Sequence, residues 1–383
     1  MDKVLQSRLE ELSAQQLRRK LTEVGSPQGP EIEIEGRKYS NFSSNDYLGL
    51  AAHPRVREGA RRAIEEFGAG SGASRLICGD LAPARRLERK LAEHLEAQAA
   101  LVFSSGYAAA LGVIPALVGP EDTLILDKLC HASIIDAAKQ SGAALRVYPH
   151  GNVEPLAEHL DWASARSGQT LVVTESIFSM DGDRAPLRAI VELKERRPFW
   201  LMVDEAHAIG VLGQAGRGLA NELGLAARIE IRLGTLGKAL GSAGGFALGS
   251  GTLIEWLINR ARSFIYSTGP TPSACGAAEA AIDVLRETPE PQRRLWENIR
   301  ALEEAADLKC ESAIVPVVVG DEAATLEAAA SLREAGYWVP AIRYPTVARG
   351  KARLRVSLSA AHSAQAVAAL AGELKRIREL VAP

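Results

Sequence analysis

Polar residues that could do chemistry follow a series of short apolar runs in the middle of the chain. The runs end in Ser104 to Tyr107, His131, Ser179, Asp204 with His207, and Lys238. Helical segments separate most of these runs, which is the pattern of a parallel sheet covered on both faces. Because ligands bind at the carboxyl ends of the strands in such sheets, the pattern predicts one shared site.

One of these stretches is WLMVDEAHAIG, from Trp200 to Gly210. An Asp-Glu pair after a strand can hold Mg²⁺ opposite a phosphate-binding loop, as in ATP-driven nucleic-acid motors. Such a motor needs G-x-x-x-x-G-K-[ST] ahead of that strand. The nearest candidate, around Lys238, has Arg232 for the first glycine and Ala239 for Ser or Thr, and it follows the Asp-Glu pair in the chain. The formal net charge of −2 gives no electrostatic case for a nucleic-acid partner.

Two other kinds of site are also disfavoured. The stretch GAGSGAS has glycines at 68, 70 and 72, but it lacks the last glycine of the dinucleotide motif G-x-G-x-x-G. The cysteines have no C-x-x-C spacing, so the sequence predicts neither a metal site nor a disulfide framework. Isolated thiols suit a reducing cytoplasm, which is the predicted location. The first 21 residues lack the apolar run of a signal peptide, and no stretch approaches the roughly 20 apolar residues that span a bilayer.

The remaining combination suits pyridoxal 5′-phosphate (PLP). The aldehyde of PLP needs a lysine amine, and Lys238 lies among Gly234, Gly237 and Gly241 after a strand. The ring nitrogen needs a carboxylate that keeps it protonated, and Asp204 ends an apolar strand. The phosphate needs hydroxyls and backbone N–H groups at a helix start, which SSGYAA could supply after the strand ALVF.

Each of these residues also has a purely structural interpretation. His207 could pair with Asp204 three positions earlier, and Asp204 could cap a helix. His131 could be a hydrogen-bonded core histidine. Arg355 could be an exposed strand residue on the same side as Arg353.

The order of the elements predicts an α/β protein in three parts. Residues 1–40 form an N-terminal helix and a short β excursion, and residues 41–285 form the large cofactor-binding α/β domain. Residues 286–383 form a smaller α+β C-terminal domain, because helical segments there alternate with short strands such as SAIVPVVVGD and ARLRVSLSAAH.

A series of ordered motifs resembles those of the α-oxoamine synthases, a PLP-dependent transferase family of fold type I. The motifs are NFSSNDYLGL, GSGASRLICG, FSSGYAA, CHAS, FSMDGD, VDEAHAIGVLGQAGRG, GTLGKALG and YSTGPTP. The resemblance runs from about Leu17 to Ala361. It implies a mostly parallel, doubly covered sheet with a smaller C-terminal domain, PLP as cofactor, and a homodimer with shared active sites.

The resemblance also assigns roles to individual residues. Lys238 would carry the cofactor, Asp204 would pair with its ring nitrogen, His131 would stack on the ring, and His207 and Ser179 would reach its 3′-oxygen. Residues expected at the phosphate are Ser105, Gly106, Tyr107, Thr235 and, from the partner subunit, Ser267 and Thr268. Substrate-side positions are Arg18, Asn45 and Arg355, the last of which would bind the amino acid carboxylate. Of these, Lys238, His131, Asp204 and His207 are the expected catalytic residues.

Within the family, the motifs are most similar to those of members that condense L-alanine with a pimeloyl thioester, carried by coenzyme A or an acyl carrier protein. Relatives that use glycine, such as 2-amino-3-oxobutyrate CoA ligase and 5-aminolevulinate synthase, remain the alternative. A non-catalytic subunit is a further alternative, against which the presence of Lys238 argues. Two positions depart from the family pattern. Tyr344 replaces a proline in IRYPT, and Arg75 lies where relatives vary. Both are expected to affect substrate access rather than the chemistry.

Overall fold

A computed structural model describes residues 1–15 and 17–381 of the chain. The helices are α1 (Asp2–Ala14), α2 (Pro54–Phe67), α3 (Ala82–His94), α4 (Gly106–Leu117), α5 (Ala132–Ser141), α6 (Val153–Ser164), α7 (Leu187–Leu193), α8 (Leu219–Glu222), α9 (Gly251–Arg260), α10 (Arg262–Ile265), α11 (Pro272–Glu287), α12 (Glu290–Ala306), α13 (Glu322–Glu334) and α14 (Ala364–Val381). The strands are β1 (Glu31–Ile34), β2 (Arg37–Asn41), β3 (Ala99–Phe103), β4 (Thr123–Asp127), β5 (Ala144–Tyr148), β6 (Thr170–Glu175), β7 (Trp200–Asp204), β8 (Ile231–Thr235), β9 (Gly245–Gly249), β10 (Ile314–Gly320), β11 (Tyr337–Trp338), β12 (Ala341–Ile342) and β13 (Ala352–Ser357).

The central sheet has seven strands in the order β3-β9-β8-β7-β6-β4-β5. Strands β4 to β8 pair in parallel, whereas β9 is antiparallel to both of its neighbours. Successive residues of β6 enter different apolar clusters, since Val172 packs on one face and Leu171 and Val173 pack on the other, all fully buried. The predicted α/β class, with a mostly parallel and doubly covered sheet, is therefore confirmed.

Two smaller sheets complete the fold. Strands β10, β13 and β12 form an antiparallel sheet in the C-terminal region, beside α12, α13 and α14. The hairpin β1-β2 pairs with β11, so the N-terminal β excursion joins a strand from the C-terminal region. The three-part division at residues 40 and 285 stays a prediction. None of the helices in residues 1–15 and 17–381 combines the length and apolar character needed to cross a bilayer.

The start of α4 depends on close backbone contact with β9. Ser105 caps the helix, because its Oγ accepts a hydrogen bond of 3.0 Å from the backbone N–H of Ala108. A Cβ added at Gly245, the first residue of β9, would lie 2.4 Å from the backbone nitrogen of Gly106. Only glycine lets the two segments approach this closely, so β9 holds the first turn of α4 at the edge of the sheet.

Candidate active site

The carboxyl ends of β6, β7 and β8 bring several polar side chains to one edge of the sheet. Glu175 and Asp204 are the last residues of β6 and β7 and face each other in the strand register. Thr235 ends β8, and Lys238 follows three residues later in the glycine-rich turn. The parallel pairing thus gathers groups from distant parts of the chain, as the alternation of strands and helices predicts.

Lys238 is hydrogen-bonded to a buried histidine. Its Nζ lies 2.8 Å from Nε2 of His207, and Nδ1 of His207 lies 2.6 Å from the hydroxyl oxygen of Tyr47. Both ring nitrogens are therefore occupied by residues other than Asp204, which excludes the interpretation of His207 as a simple partner of Asp204. Burial lowers the pKa of Lys238 to about 8, even though Asp204 and Glu175 oppose this shift. The neutral form of this amine is therefore more accessible than that of a solvent-exposed lysine.

Burial also lowers the pKa of His207 well below its ordinary value, and the nearby charges of Lys238 and Arg355 add to the effect. His207 is only 5% exposed. The imidazole is therefore neutral at physiological pH, with one proton on one of its two ring nitrogens.

A second group of polar residues at this edge of the sheet consists of Glu175, Asp204 and His131. Burial raises the pKa of Glu175, and the neighbouring charge of Asp204 raises it further. The Glu175 carboxylate accepts a short hydrogen bond from the backbone N–H of His131. Asp204 Oδ1 accepts a hydrogen bond of 2.9 Å from the N–H of Ala206, so Asp204 shapes its own turn. The second carboxylate oxygen of Asp204, Oδ2, takes no part in this hydrogen bond.

His131 caps the N-terminus of α5 and is not a core residue. Its Nδ1 accepts a hydrogen bond of 3.2 Å from the backbone N–H of Ser133, and the residue is exposed. Desolvation lowers its pKa, whereas the charge of Asp204 opposes that shift. The ring is thus fixed at one corner while the rest is accessible to a bound ligand.

Arg355 is buried, with 5% of its surface exposed, so its interpretation as an exposed strand residue is wrong. Its Nε donates to the carbonyl of Ser179 at 2.7 Å, and its Nη1 donates to Ser357 Oγ at 2.8 Å. Its Nη2 donates to Asn45 Oδ1 at 3.2 Å. A guanidinium has five N–H groups, of which these three bonds use one on each nitrogen, and Arg355 also interacts with the buried hydroxyl of Tyr47. A planar guanidinium held in this way is the kind of group that binds a carboxylate.

The expected phosphate-binding residues lie around the start of α4. A Cβ at Gly106 would lie 3.6 Å from Thr235 Cβ, which places the end of β8 beside this turn. The first backbone N–H groups of a helix have no intrahelical acceptor, so those of Gly106 and Tyr107 suit an anion. The hydroxyl of Tyr107 itself donates to Asp136 at the surface.

Ser267 and Thr268 lie in a different segment, against the glycine-rich loop. Thr268 forms an isolated bridge with Ser74, and it is exposed whereas Ser267 is half-buried. The described contacts of Ser267 and Thr268 do not include Lys238, Asp204 or His207 in the same subunit. This placement is compatible with their predicted role towards a partner subunit, which stays a prediction.

The structure gives different environments to Arg18 and to the two departures from the family pattern. Arg18 is exposed, and its described contacts are with Ser13 and Leu12 of α1. The predicted substrate-side role of Arg18 stays a prediction. Arg75 is buried and pairs with Glu88 and Asp80, so it supports the loop around it. Tyr344 is 39% exposed.

Two residues of the site were not predicted. Tyr47 is fully buried between His207 and Asn45, and Glu175 faces Asp204. Glu175 stands at the end of the apolar run TLVVTE, so the rule that found Asp204 would also have found it. Tyr47 lies in the motif NDYLGL, where it reads as an ordinary core aromatic.

This set of residues fits PLP. The residues supply one buried amine with a lowered pKa, one carboxylate at a strand end, and free backbone N–H groups at a helix start beside a threonine hydroxyl. An aldehyde, a pyridine nitrogen and a phosphate each find a suitable partner among them. The parts come from β7, β8, α4 and the turn after β8, which the sheet brings to one edge.

Comparisons with known proteins agree with this geometry. A model of the aminotransferase class I and II family matches residues 37–374. An 8-amino-7-oxononanoate synthase from Anaeromyxobacter dehalogenans is 50% identical over 365 residues, covering 94% of this chain and 91% of that protein.

Solved structures extend the likeness to the whole fold. A serine palmitoyltransferase from S. paucimobilis, with PLP and myriocin bound, superposes with a TM-score of 0.92 at 29% identity and covers 98% of this chain and 97% of that one. An 8-amino-7-oxononanoate synthase from Francisella tularensis superposes with a TM-score of 0.75 at 28% identity, covering 89% and 98%. With a family model over most of its length and relatives of this identity, the chain belongs to the class I and II aminotransferase family of PLP enzymes, in its α-oxoamine synthase branch.

Proposed function

We propose that this chain catalyses the PLP-dependent, decarboxylative condensation of L-alanine with a pimeloyl thioester. The products are 8-amino-7-oxononanoate, CO₂ and the free thiol carrier, in a step of biotin synthesis. The main support is the 50% identity to 8-amino-7-oxononanoate synthases across 94% of a chain that has the matching site. The predicted cytoplasmic location remains part of the proposal.

The residues of the site have distinct roles in this reaction. Lys238 holds PLP and takes the Cα proton of alanine, which suits an amine whose pKa is lowered by burial. Bound PLP supplies an electron sink for the pair left on Cα. Asp204 would place a negative charge at the ring nitrogen, and His131 would pack on the ring. His207 and Ser179 would reach the 3′-oxygen.

The substrate carboxylate is bound by Arg355. Its guanidinium is planar and is held in place by hydrogen bonds to Ser179, Ser357 and Asn45. The residues that would hold the phosphate at the start of α4 are Ser105, Gly106, Tyr107 and Thr235.

The direct test is a product assay with L-alanine or glycine and with pimeloyl-CoA or pimeloyl-carrier protein. We expect 8-amino-7-oxononanoate, measured by mass spectrometry, with CO₂ and free thiol in equal amounts. We also expect the visible absorption of the holoenzyme to shift with alanine and hardly with glycine. Faster turnover of glycine would instead support the alternative function, that of a glycine-using relative.

Arg355→Ala is expected to raise the alanine KM on the order of 10²-fold, because a lost charge-assisted pair costs about 2–3 kcal/mol. The KM for the thioester should change much less. Arg353→Ala is a matched control on the same strand, since Arg353 is also buried but pairs with Asp181 at 2.6 Å. Steady-state kinetics with each substrate varied separately measures both effects. Equal changes in the two KM values would indicate a purely structural role for Arg355.

We also propose a homodimer in which Ser267 and Thr268 reach the phosphate of the neighbouring site. Two features support this proposal. Thr268 is exposed, and α1 has no buried residue although it carries Leu5 and Leu9. Light scattering should give about twice the chain mass of 40.9 kDa.

Mixed dimers test whether the sites are shared. Thr268→Glu should be nearly inactive, because its charge repels a phosphate. Mixing it with inactive Lys238→Ala subunits should restore about a quarter of wild-type activity, since half of the dimers then contain one complete site. A fully active monomer, or no recovery in a mixture that demonstrably exchanges subunits, would contradict the proposal.

A further inference from the structure

His150, which follows β5, joins two segments of the chain through contacts that the proposed reaction does not use. Its Nδ1 lies 3.0 Å from Oδ1 of Asp127 at the end of β4, and its Nε2 lies 2.8 Å from Oδ2 of Asp183. Its ring packs edge-on against Phe178, with 4.3 Å between the ring centroids. Asp127, Asp183 and Phe178 are not among the residues expected to touch PLP, so this arrangement does not depend on whether the cofactor is bound.

The protonation of His150 follows from its two acidic partners. Both carboxylate oxygens of Asp127 are acceptors, because Oδ1 and Oδ2 accept from the backbone N–H groups of Leu129 and Gly151 at 2.8 and 2.9 Å. Asp183 presents a second carboxylate to the ring, and a neutral imidazole could donate to one of the two acids but not to both. Burial opposes the charge, but the hydrogen bonds to the two acids outweigh it and raise the pKa of His150 to about 10. The ring is therefore an imidazolium with two charge-assisted hydrogen bonds at physiological pH.

The turn of residues 178–183 begins and ends at the two residues that His150 contacts after β6. The backbone N–H of Phe178 donates to the carbonyl of Asp183 at 3.1 Å, and the N–H of Gly182 donates to the carbonyl of Phe178 at 2.8 Å. Within residues 1–15 and 17–381, Oδ1 of Asp183 is buried and has no hydrogen-bond partner. The carboxylate of Asp183 therefore depends on His150.

The same turn holds two arginines of β13. The carbonyl of Ser179 accepts from Arg355 Nε at 2.7 Å, and the carboxylate of Asp181 accepts from Arg353 Nη1 at 2.6 Å. Both arginines are almost fully buried, with 5% and 6% of their surfaces exposed, so water does not easily replace these partners. The position of the turn thus helps to set the position of both guanidinium groups.

We propose that His150 is a positioning residue that fixes the turn of residues 178–183 and, through Ser179, the guanidinium of Arg355. The inference rests on the proposed function in one respect, namely that Arg355 binds the amino acid carboxylate. The charge of the ring is essential, because it stands between two carboxylates. Without it, the two acids face each other unpaired, and the turn moves away from β4.

The test compares wild type with His150→Gln in the full-length, PLP-loaded chain. NMR with ¹⁵N-labelled histidine should show one imidazolium at pH 8 in the wild type, and this signal should be missing in the variant. Amide hydrogen exchange in residues 178–183 should become about tenfold faster, the effect of a lost hydrogen bond to a charged group. The alanine KM should rise by about the same factor for the same reason, while the thioester KM stays nearly unchanged.

His159→Gln is the matched control, because His159 lies in the neighbouring helix α6 and is exposed, with its Nε2 3.3 Å from the carbonyl of Val147. It should change neither exchange in the turn nor either KM. Asp183→Asn removes a charge from the turn itself and should act in the same direction as His150→Gln. This second variant decides the question if His150→Gln melts below the assay temperature.

The outcomes separate this inference from the proposed function. The NMR and exchange measurements need no substrate, so they hold even if the product assay identifies a different reaction. An imidazolium at pH 8, faster exchange confined to the turn and a selective rise in the alanine KM together support the positioning role. A neutral His150 at pH 8, unchanged exchange in the turn, or equal rises in the two KM values would overturn it.

Discussion

Lys238→Ala is expected to lower turnover by about 10⁴-fold or more, because one substitution removes both the covalent attachment of PLP and the base that takes the Cα proton. The chain should still bind PLP through its phosphate and ring contacts. Borohydride reduction of the wild type should fix PLP to the protein, and peptide mapping should locate it on Lys238. The variant should show no reduced adduct.

The control for this prediction is Lys139→Ala, since Lys139 lies exposed in the last turn of α5. This variant should keep both the adduct and the activity. An adduct mapped to a lysine other than Lys238 would overturn the assignment. Retained turnover in Lys238→Ala would remove its proposed role as the base.

Asp204→Asn is the second substitution that we expect to lower turnover strongly. It keeps the shape of the side chain but removes the charge that would keep the ring nitrogen protonated. Breaking a buried ion pair typically costs ~3–5 kcal/mol. If most of that cost appears in the barrier for proton abstraction, turnover falls on the order of 10²–10⁴-fold at about 1.36 kcal/mol per decade. Alanine-dependent synthase activity measures the effect. Near-normal activity would refute the role of Asp204.

Glu205 is the matched control, because it is the acid directly after β7 and its carboxylate has partners of its own. Its Oε1 accepts from the N–H of Ala220 at 2.9 Å, and its Oε2 lies 4.0 Å from Arg232 Nη1. Burial raises its pKa to about 7. Glu205→Gln should therefore lower the melting temperature, since Arg232 loses its carboxylate, but it should change turnover only mildly.

The same pair of variants distinguishes this enzyme from an ATP-driven motor. In a motor, both acids of D-E-A-H serve the metal site, and both substitutions would abolish ATP hydrolysis. Here we expect no ATPase activity in the wild type and a strong asymmetry in synthase activity. Equal losses in the two variants would favour a shared metal-binding role.

Much of the site was predictable because its signals are local. Asp204 and Lys238 each follow a short apolar run, and a strand that ends in polar or glycine-rich residues is visible within a few positions. The absence of a nucleotide phosphate-binding motif around Lys238 can likewise be seen from a few consecutive residues. The alternation of such runs with helices also predicts the parallel, doubly covered sheet, because this connectivity has few stable arrangements. β9 was not predicted, since GFALG has the composition of a strand but nothing that reveals its antiparallel direction.

What the sequence determined by itself was therefore the class of the fold and the kinds of chemical group at its strand ends. Only the tertiary structure decided which of these groups meet and how much water reaches them. Asn45 and Arg355 are 310 positions apart, and Tyr47 and His207 are 160 apart, yet each pair is hydrogen-bonded. The lowered pKa of Lys238 likewise comes from burial, which depends on how distant segments pack around the amine rather than on its neighbours in the chain.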